Sequence, residues 1–285
     1  MTMDAIDRIK TNAESRLAST HIAGAELGDA LRACRKAARS GWQITLSRWE
    51  NPSDPPKYTV FEYLIAARAI AHDQKGSALA IKFPALGYRT TLLIPLLEFA
   101  RTAGLQLRFD AQHPEGAGRT LEAVEELHAL HSNVWCTLPA RWQRSFSDAE
   151  RLARREIPVR IVRGQWTDSS VRDHGRRERF LELVQIFTGR KSPVSIATHD
   201  RSLARDALAM LRQSGTPCEL EQLFGLPSIA DGLGGLPGIP KRLYVPYGCG
   251  SLPYLGRDAW HRPSIVLWMI RDFLVGREGK LSQIC

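Results

Sequence analysis

Arg242 to Asp258 read RLYVPYGCGSLPYLGRD. The β-branched and aromatic run through Val245 has the composition of a strand, and Pro246 and Gly248 stop it. Tyr247, Tyr254 and Arg257 follow. A strand that ends in a loop carrying phenols and a guanidinium puts polar chemistry at the strand's C-terminal end.

The same order recurs along the chain. Runs of strand composition occupy Trp42–Trp49, Ser77–Leu86, Gln106–Ala111, Asn133–Pro139, Val159–Trp166, Val194–His199, Cys218–Gly225 and Arg242–Gly248, each bounded by Gly, Pro, Asp or Asn. Between them lie segments with apolar residues three and four apart: Tyr58–His72, Thr91–Ala103, Arg119–His131, Phe146–Arg155, Arg179–Phe187 and Arg201–Ser214. Asp200 and the pair Ser147–Asp148 supply helix start signals. After the seventh run, Ser228–Pro240 is rich in Gly and Pro, so a helix there is expected to be short or distorted. A further helix, Gly24–Ser40, precedes the first strand.

Strands that alternate with helices pair in parallel, because each crossover is a helix. Eight such units in 285 residues predict an α/β fold, a single (β/α)8 TIM-like barrel, with an extra N-terminal helix. The expected organisation is one domain over residues 1–285, with 1–22 as an extension and 23–41 as the helix before the first strand. An open doubly wound sheet is the runner-up. It is disfavoured because no Gly-rich dinucleotide fingerprint follows the first strand.

Composition narrows the function. The chain is 44% hydrophobic, ample for a core, and carries a net charge of +9. A basic balance favours anionic partners, yet the cations are scattered and no nucleic-acid reader motif accompanies them, which argues against nucleic acid. Cys34, Cys136, Cys218, Cys249 and Cys285 are far apart and lack CxxC spacing, which fits a reducing cytoplasm and neither zinc nor disulfides. The polar N-terminus is not a signal peptide, and the apolar run Thr91–Ala100 is too short to span a bilayer. Peripheral membrane contact stays open.

A barrel carries its chemistry at the C-terminal ends of its strands. Those ends hold Lys82, Asp110, Arg163, Trp166, Thr198, His199, Asp200, Glu221, Tyr244 and Tyr247, with Arg257 beyond. One imidazole and no HxH or HExxH spacing make a poor metal site, so none is assigned. No GxSxG elbow offers a nucleophilic serine. A cation-rich mouth with aromatics suits an anionic, planar ligand. Each residue also has a plain structural use. Lys82 could be a solvated lysine or a Schiff-base former, Asp110 a loop cap, His199 a satisfied core imidazole, and the tyrosines packing groups. Arg160 inside an apolar strand is the exception, since a buried guanidinium needs an anionic or polar partner.

Taken in order, AGAELGDALRACRKAARSG, AIKFPALG, RFDA, VRIVRGQW, ATHD, ELEQLFGL, LYVPYG and YLGRD resemble the proline dehydrogenase family over roughly residues 22–260. The resemblance implies a distorted (β/α)8 barrel binding FAD at its mouth and oxidising L-proline to the cyclic imine, with electrons passed to a quinone-type acceptor. It implies substrate-site roles for Lys82, Asp110, Tyr244, Tyr254, Leu223 and Arg257, the last being the first of two carboxylate-holding arginines. For the cofactor it implies Arg160, Val162, Gly164, Trp166, Thr198 and His199. A quinone partner would imply contact with the inner face of a membrane.

Several positions depart from the family pattern. Asp258 replaces the second arginine, Pro139 a strand-four glutamine, Glu221 the glutamine of EFQ, and Asp200 the asparagine of ATHN; Gln165 and His261 also differ. These changes fall at the expected site. They widen the substrate from proline to a related cyclic or secondary amine, and they keep two alternatives open: a catalytically silent relative that binds a ligand or partner, and a flavin-free Schiff-base enzyme using Lys82.

Overall fold

The computed structural model describes residues 21–73, 76–164, 168, 176–230, 233 and 236–248. Trp166, Tyr254, Arg257 and Asp258 lie outside them. Eight parallel strands close into a barrel in sequence order: β1 Gln43–Trp49, β2 Ala78–Ile81, β3 Gln106–Phe109, β4 Val134–Pro139, β5 Val159–Val162, β6 Val194–Ala197, β7 Cys218–Leu223 and β8 Lys241–Gly248. The ring closes where β1 pairs with β8 from Gln43↔Arg242 to Trp49↔Gly248. A Cβ on Gly248 would sit 2.4 Å from the Trp49 carbonyl oxygen, so only glycine lets the two chains approach there.

Around the barrel lie α1 Leu27–Arg39, α2 Pro56–Asp73, α3 Ile94–Ala103, α4 Ala117–Leu130, α5 Ser145–Arg154, α6 Arg176–Gln185 and α7 Arg201–Gln213. Their apolar faces follow from sequence spacing. Ala30, Cys34 and Ala37 are buried on α1, and Leu203, Ala204, Ala207, Leu208 and Leu211 on α7. Asp200 caps α7, accepting the Leu203 N–H at 2.9 Å. The extra helix α1 packs across β8 and β1, tied by the Ala23 N–H to the Pro246 carbonyl at 2.8 Å.

The expected strands are all present, and several are shorter than their apolar runs. After Ile81 the chain turns into a 3-10 turn over Phe83–Leu86, because Pro84 has no N–H for a ladder. The run after β5 stops at Val162. Gly164 takes φ +95°, and a Cβ there would lie 2.6 Å from the Pro139 Cβ. The described residues of Ser228–Pro240 form no α-helix. Among the described residues, no helix is long and apolar enough to cross a membrane.

Strand alternation sorts the side chains into two layers. Ile44, Leu46, Leu79, Ile81, Leu107, Phe109, Val159, Ile161, Val194, Ile196, Leu220 and Val245 are buried in the hydrophobic core that the helices cover. The opposite set faces the barrel axis and is polar: Thr45, Ser47, Arg108, Asp110, Arg160, Ser195, Glu219, Glu221, Arg242 and Tyr244 bond with one another across the ring. Barrel interiors are more often filled with branched aliphatic residues. Here the axis is a stack of charges.

Candidate active site

The stack begins at the floor of the barrel. Arg242 donates through Nε to Glu219 at 2.8 Å, and Glu219 also accepts from Arg108 Nη2 at 2.7 Å. Both arginine side chains are fully buried. Arg242 spends its remaining donors on the Ile44 carbonyl, the Gly76 carbonyl and Gln43. Burial opposes the charge on Glu219, yet Arg108 and Arg242 outweigh it and pull its pKa down to about 2. Burial and the neighbouring Arg242 lower Arg108 to about 10, so it stays charged at neutral pH. Its guanidinium lies over the Trp135 ring at 4.0 Å.

One layer up, Glu221 bridges two arginines. Its Oε2 accepts from Arg108 Nη1 at 3.0 Å and from Thr45 Oγ1 at 3.0 Å, while its Oε1 accepts from Arg160 Nε. Arg160 then reaches Asp110 through Nη1 at 3.3 Å and lies 4.8 Å from the Tyr244 ring centre. The sequence-based expectation that Arg160 needs an anionic partner is thus met twice. Burial works against its charge, but Glu221 and Asp110 overcome this and raise its pKa.

At the mouth, the phenolic proton of Tyr244 serves Asp110 at 2.5 Å. A phenol has one proton, so Ser47, 2.8 Å away, must donate to the phenolic oxygen. Burial and the Asp110 carboxylate raise Tyr244 well above the ordinary tyrosine value. Ser47 in turn accepts from Lys82 Nζ at 2.9 Å. Lys82 also donates to the Arg48 carbonyl and lies 3.8 Å from Glu50. Behind it, the Tyr63 hydroxyl accepts the Lys82 backbone N–H at 3.1 Å and donates to Glu50.

Three acceptors around Lys82 hold an ammonium in place, which is a poor arrangement for a Schiff-base nucleophile. The network therefore weakens the lyase alternative.

Lys82, Asp110, Arg160 and Tyr244 come together in this network. Leu223 sits beside them, in register with Tyr244 on the next strand. Val162 pairs with Ala197, and with Leu223 they form a half-buried apolar strip over the ends of β5, β6 and β7. An apolar strip bordered by the Arg160 cation fits a planar, partly anionic ring such as the isoalloxazine of a flavin.

The remaining described cofactor candidates, Thr198, His199 and Gly164, lie at the ends of β5 and β6 and also make contacts within their loops. Thr198 Oγ1 accepts the Asp200 N–H at 3.1 Å. His199 Nε2 accepts the Leu223 N–H at 2.8 Å, so its proton sits on Nδ1, 3.2 Å from the Pro227 carbonyl. Burial lowers its pKa to about 4, and it is neutral. Gly164 packs against Pro139 and Arg141. Among the described residues, no cluster of His, Cys, Asp and Glu is arranged to hold a metal ion.

Ser47, Glu50, Tyr63, Arg108, Glu219 and Arg242 belong to the network but were not singled out as site residues in the sequence. The signal was present in the i, i+2 repetition of Gln106 and Arg108 on β3 with Asp110 just past its end, and of Glu219 and Glu221 on β7.

A closed α/β barrel with a charged axis and a polar mouth at the C-terminal ends of its strands is the class these features define. No family model matches the chain. It is 20% identical over 269 residues to proline dehydrogenase 1 of Bacillus subtilis subsp. natto and of Bacillus subtilis strain 168, covering 89% of each chain. It is also 20% identical over 285 residues to proline dehydrogenase 2 of strain 168, covering 93% of each.

Among solved structures, proline utilization A from Bdellovibrio bacteriovorus, inactivated by N-propargylglycine, aligns over 88% of this chain with a TM-score of 0.69 and 15% identity. A proline utilization A structure from Bradyrhizobium japonicum aligns over 90% with a TM-score of 0.65 and 15% identity. The present chain spans 34% and 30% of those longer chains. Over nearly its whole length the chain is similar in sequence to these proline dehydrogenases, and the barrel expected from the sequence is the fold it shares with the solved structures.

Proposed function

We propose that the chain is an FAD-dependent dehydrogenase that oxidises L-proline, or a related cyclic or secondary amine, to the imine and passes the electrons to a quinone-type acceptor. The observation that carries this reading is the continuous network of Arg160, Asp110, Tyr244, Ser47 and Lys82 at the barrel mouth, beside the half-buried apolar residues Val162, Ala197 and Leu223. Its likeness to named proline dehydrogenases over nearly the whole chain supports it.

A bound flavin would supply the two-electron chemistry; the protein supplies orientation and charge. Val162, Ala197 and Leu223 would lie against its ring, with Arg160 as the cation beneath. Asp110 is fixed by two donors, so its oxygens stand at set positions for the substrate's ring nitrogen. Tyr244 and Leu223 narrow the mouth and hold an apolar ring in one orientation. Gly164, Trp166, Thr198 and His199 on the flavin, and Tyr254 and Arg257 on the substrate, complete the proposed set. The reading places the protein in the cytoplasm, with access to a quinone at a membrane surface, and gives it no role with nucleic acid.

Purified protein should carry a flavin absorption band, and anaerobic L-proline or a close analogue should bleach it. A colourless chain that stays so after incubation with FAD would overturn the proposal.

A further inference from the structure

Lys82, Ser47, Tyr244 and Asp110 form one chain of hydrogen bonds that joins four strands. Ser47 on β1 lies between Lys82 at the end of β2 and Tyr244 on β8, and Tyr244 reaches Asp110 past the end of β3. Ser47 is fully buried. An ammonium has only donors, so Lys82 donates to Ser47. Ser47 gives its one proton to the Tyr244 oxygen, and Tyr244 gives its own to Asp110. Every bond of the chain therefore points from Lys82 toward Asp110. Reversal would require a lone pair on the Lys82 nitrogen, and an ammonium has none.

The family resemblance implies that Lys82 touches the substrate. In the structure its ammonium instead faces three acceptors of the protein: Ser47 Oγ at 2.9 Å, the Arg48 carbonyl, and Glu50 at 3.8 Å. To reach a ligand it would have to leave one of them. Its charge reaches the mouth by another route, because hydrogen bonds in series polarise one another. Ser47 is the link that carries this effect to Tyr244.

We propose that Ser47 is a positioning residue through which Lys82 acts on the ligand: together they fix the direction of the Tyr244 hydroxyl, and with it the Asp110 oxygens that meet the ligand amine, while Lys82 makes no contact with the ligand's carboxyl group. This rests on the dehydrogenase reading and deepens it.

The first test needs neither flavin nor ligand. In protein labelled with 13Cζ-tyrosine, the signal of Tyr244, assigned by its loss in Tyr244→Phe, reports the hydrogen bonds of the phenol. Ser47→Ala should move it. Lys82→Met should move it too, and should add nothing in the Ser47→Ala background. A folded Lys82→Met protein with the Tyr244 signal in its parental place would overturn the proposal. Where Lys82→Met fails to fold, Lys82→Met/Glu50→Gln removes the cation and its carboxylate together and takes its place.

The second test separates relay from contact. L-Proline and L-prolinamide share the ring and its ammonium and differ in the carboxyl group. In calorimetry on the flavin-loaded protein, Ser47→Ala and Lys82→Met should each weaken both ligands by about tenfold, and the double variant by no more than either alone. Lys82→Met that costs L-proline about tenfold more than L-prolinamide would put the ammonium on the carboxyl group and refute the relay. Where only one ligand binds, additive losses in the double variant refute it. Parent protein that takes up no flavin, or binds neither ligand, would sink the dehydrogenase reading, and the Tyr244 signal still decides the role of Ser47.

Discussion

Acid should loosen this fold through His199 before it reaches the carboxylates. The imidazole accepts the Leu223 N–H at Nε2 and presents its Nδ1 proton to Pro227, joining the end of β7 to the loop that follows it. Protonation turns the acceptor into a donor and sets two N–H groups against each other.

Burial lowers the pKa from the ordinary 6.5 to about 4, and the nearby His21 acts in the same direction. The unfolded chain therefore binds more protons than the folded one between those values. The contribution is complete above about pH 6.5 and is lost as the pH falls toward 4. Moving from pH 7 to pH 5 should cost about 2 kcal/mol from this residue alone. Urea unfolding at both pH values measures it, with His199→Gln as the control. The Gln carbonyl can still accept the Leu223 N–H but does not titrate. The variant should lose about 2 kcal/mol less than the parent over the same interval. Equal pH dependence in the two proteins would show that His199 is not held neutral by this geometry.

Arg108→Met leaves Glu219 and Glu221 short of a buried cation and should cost about 3–5 kcal/mol in urea unfolding, with Arg108→Met/Glu221→Gln recovering more than half; no recovery would refute the charge pairing. Tyr244→Phe removes the donor to Asp110 and should lose about 1.5–3 kcal/mol, together with most of any amine-dependent flavin reduction. A variant with parental stability and reduction rate would show that the hydroxyl is idle. Gly164→Ala, at φ +95° with its Cβ 2.6 Å from that of Pro139, should destabilise by about 1–3 kcal/mol, and a melting temperature at or above the parent's would contradict the backbone geometry. Asp200→Ala should cost about 1 kcal/mol through the lost α7 cap, while Asp200→Asn should retain most of the stability.

The barrel was legible because each strand–helix unit repeats one period change, from two residues to about 3.6. Strand ends were read too long wherever apolar residues continue past the last ladder bond. Phe83 and Leu86 are as buried as the strand before them, but Pro84 ends the pairing. Apolar composition reports burial, and only the backbone donors report the strand.

The site was legible where one residue contradicts its surroundings, as Arg160 does among Val159, Ile161 and Val162. It was obscure where the contradiction is shared. Thr45, Ser47, Arg108, Glu219 and Arg242 look like the exposed side of half-solvated strands, yet they are among the most buried polar residues of the protein. In a closed parallel barrel both faces of every strand are covered, so polar residues at alternate positions point to an interior rich in bonds and not to water. The charges on β3, β5, β7 and β8 then have to pair across the ring.

This division of labour also locates the tolerance of the fold. The apolar layer between sheet and helices can supply most of the stability, since buried ion pairs add little over an apolar core of equal volume and cost heavily when one partner is lost. The axial charges then have a different use. Glu221 binds arginines above and below it, so Arg108 and Arg160 share one carboxylate. On this account, the orientation of Arg160 is set one layer beneath the mouth, by the carboxylates that hold it.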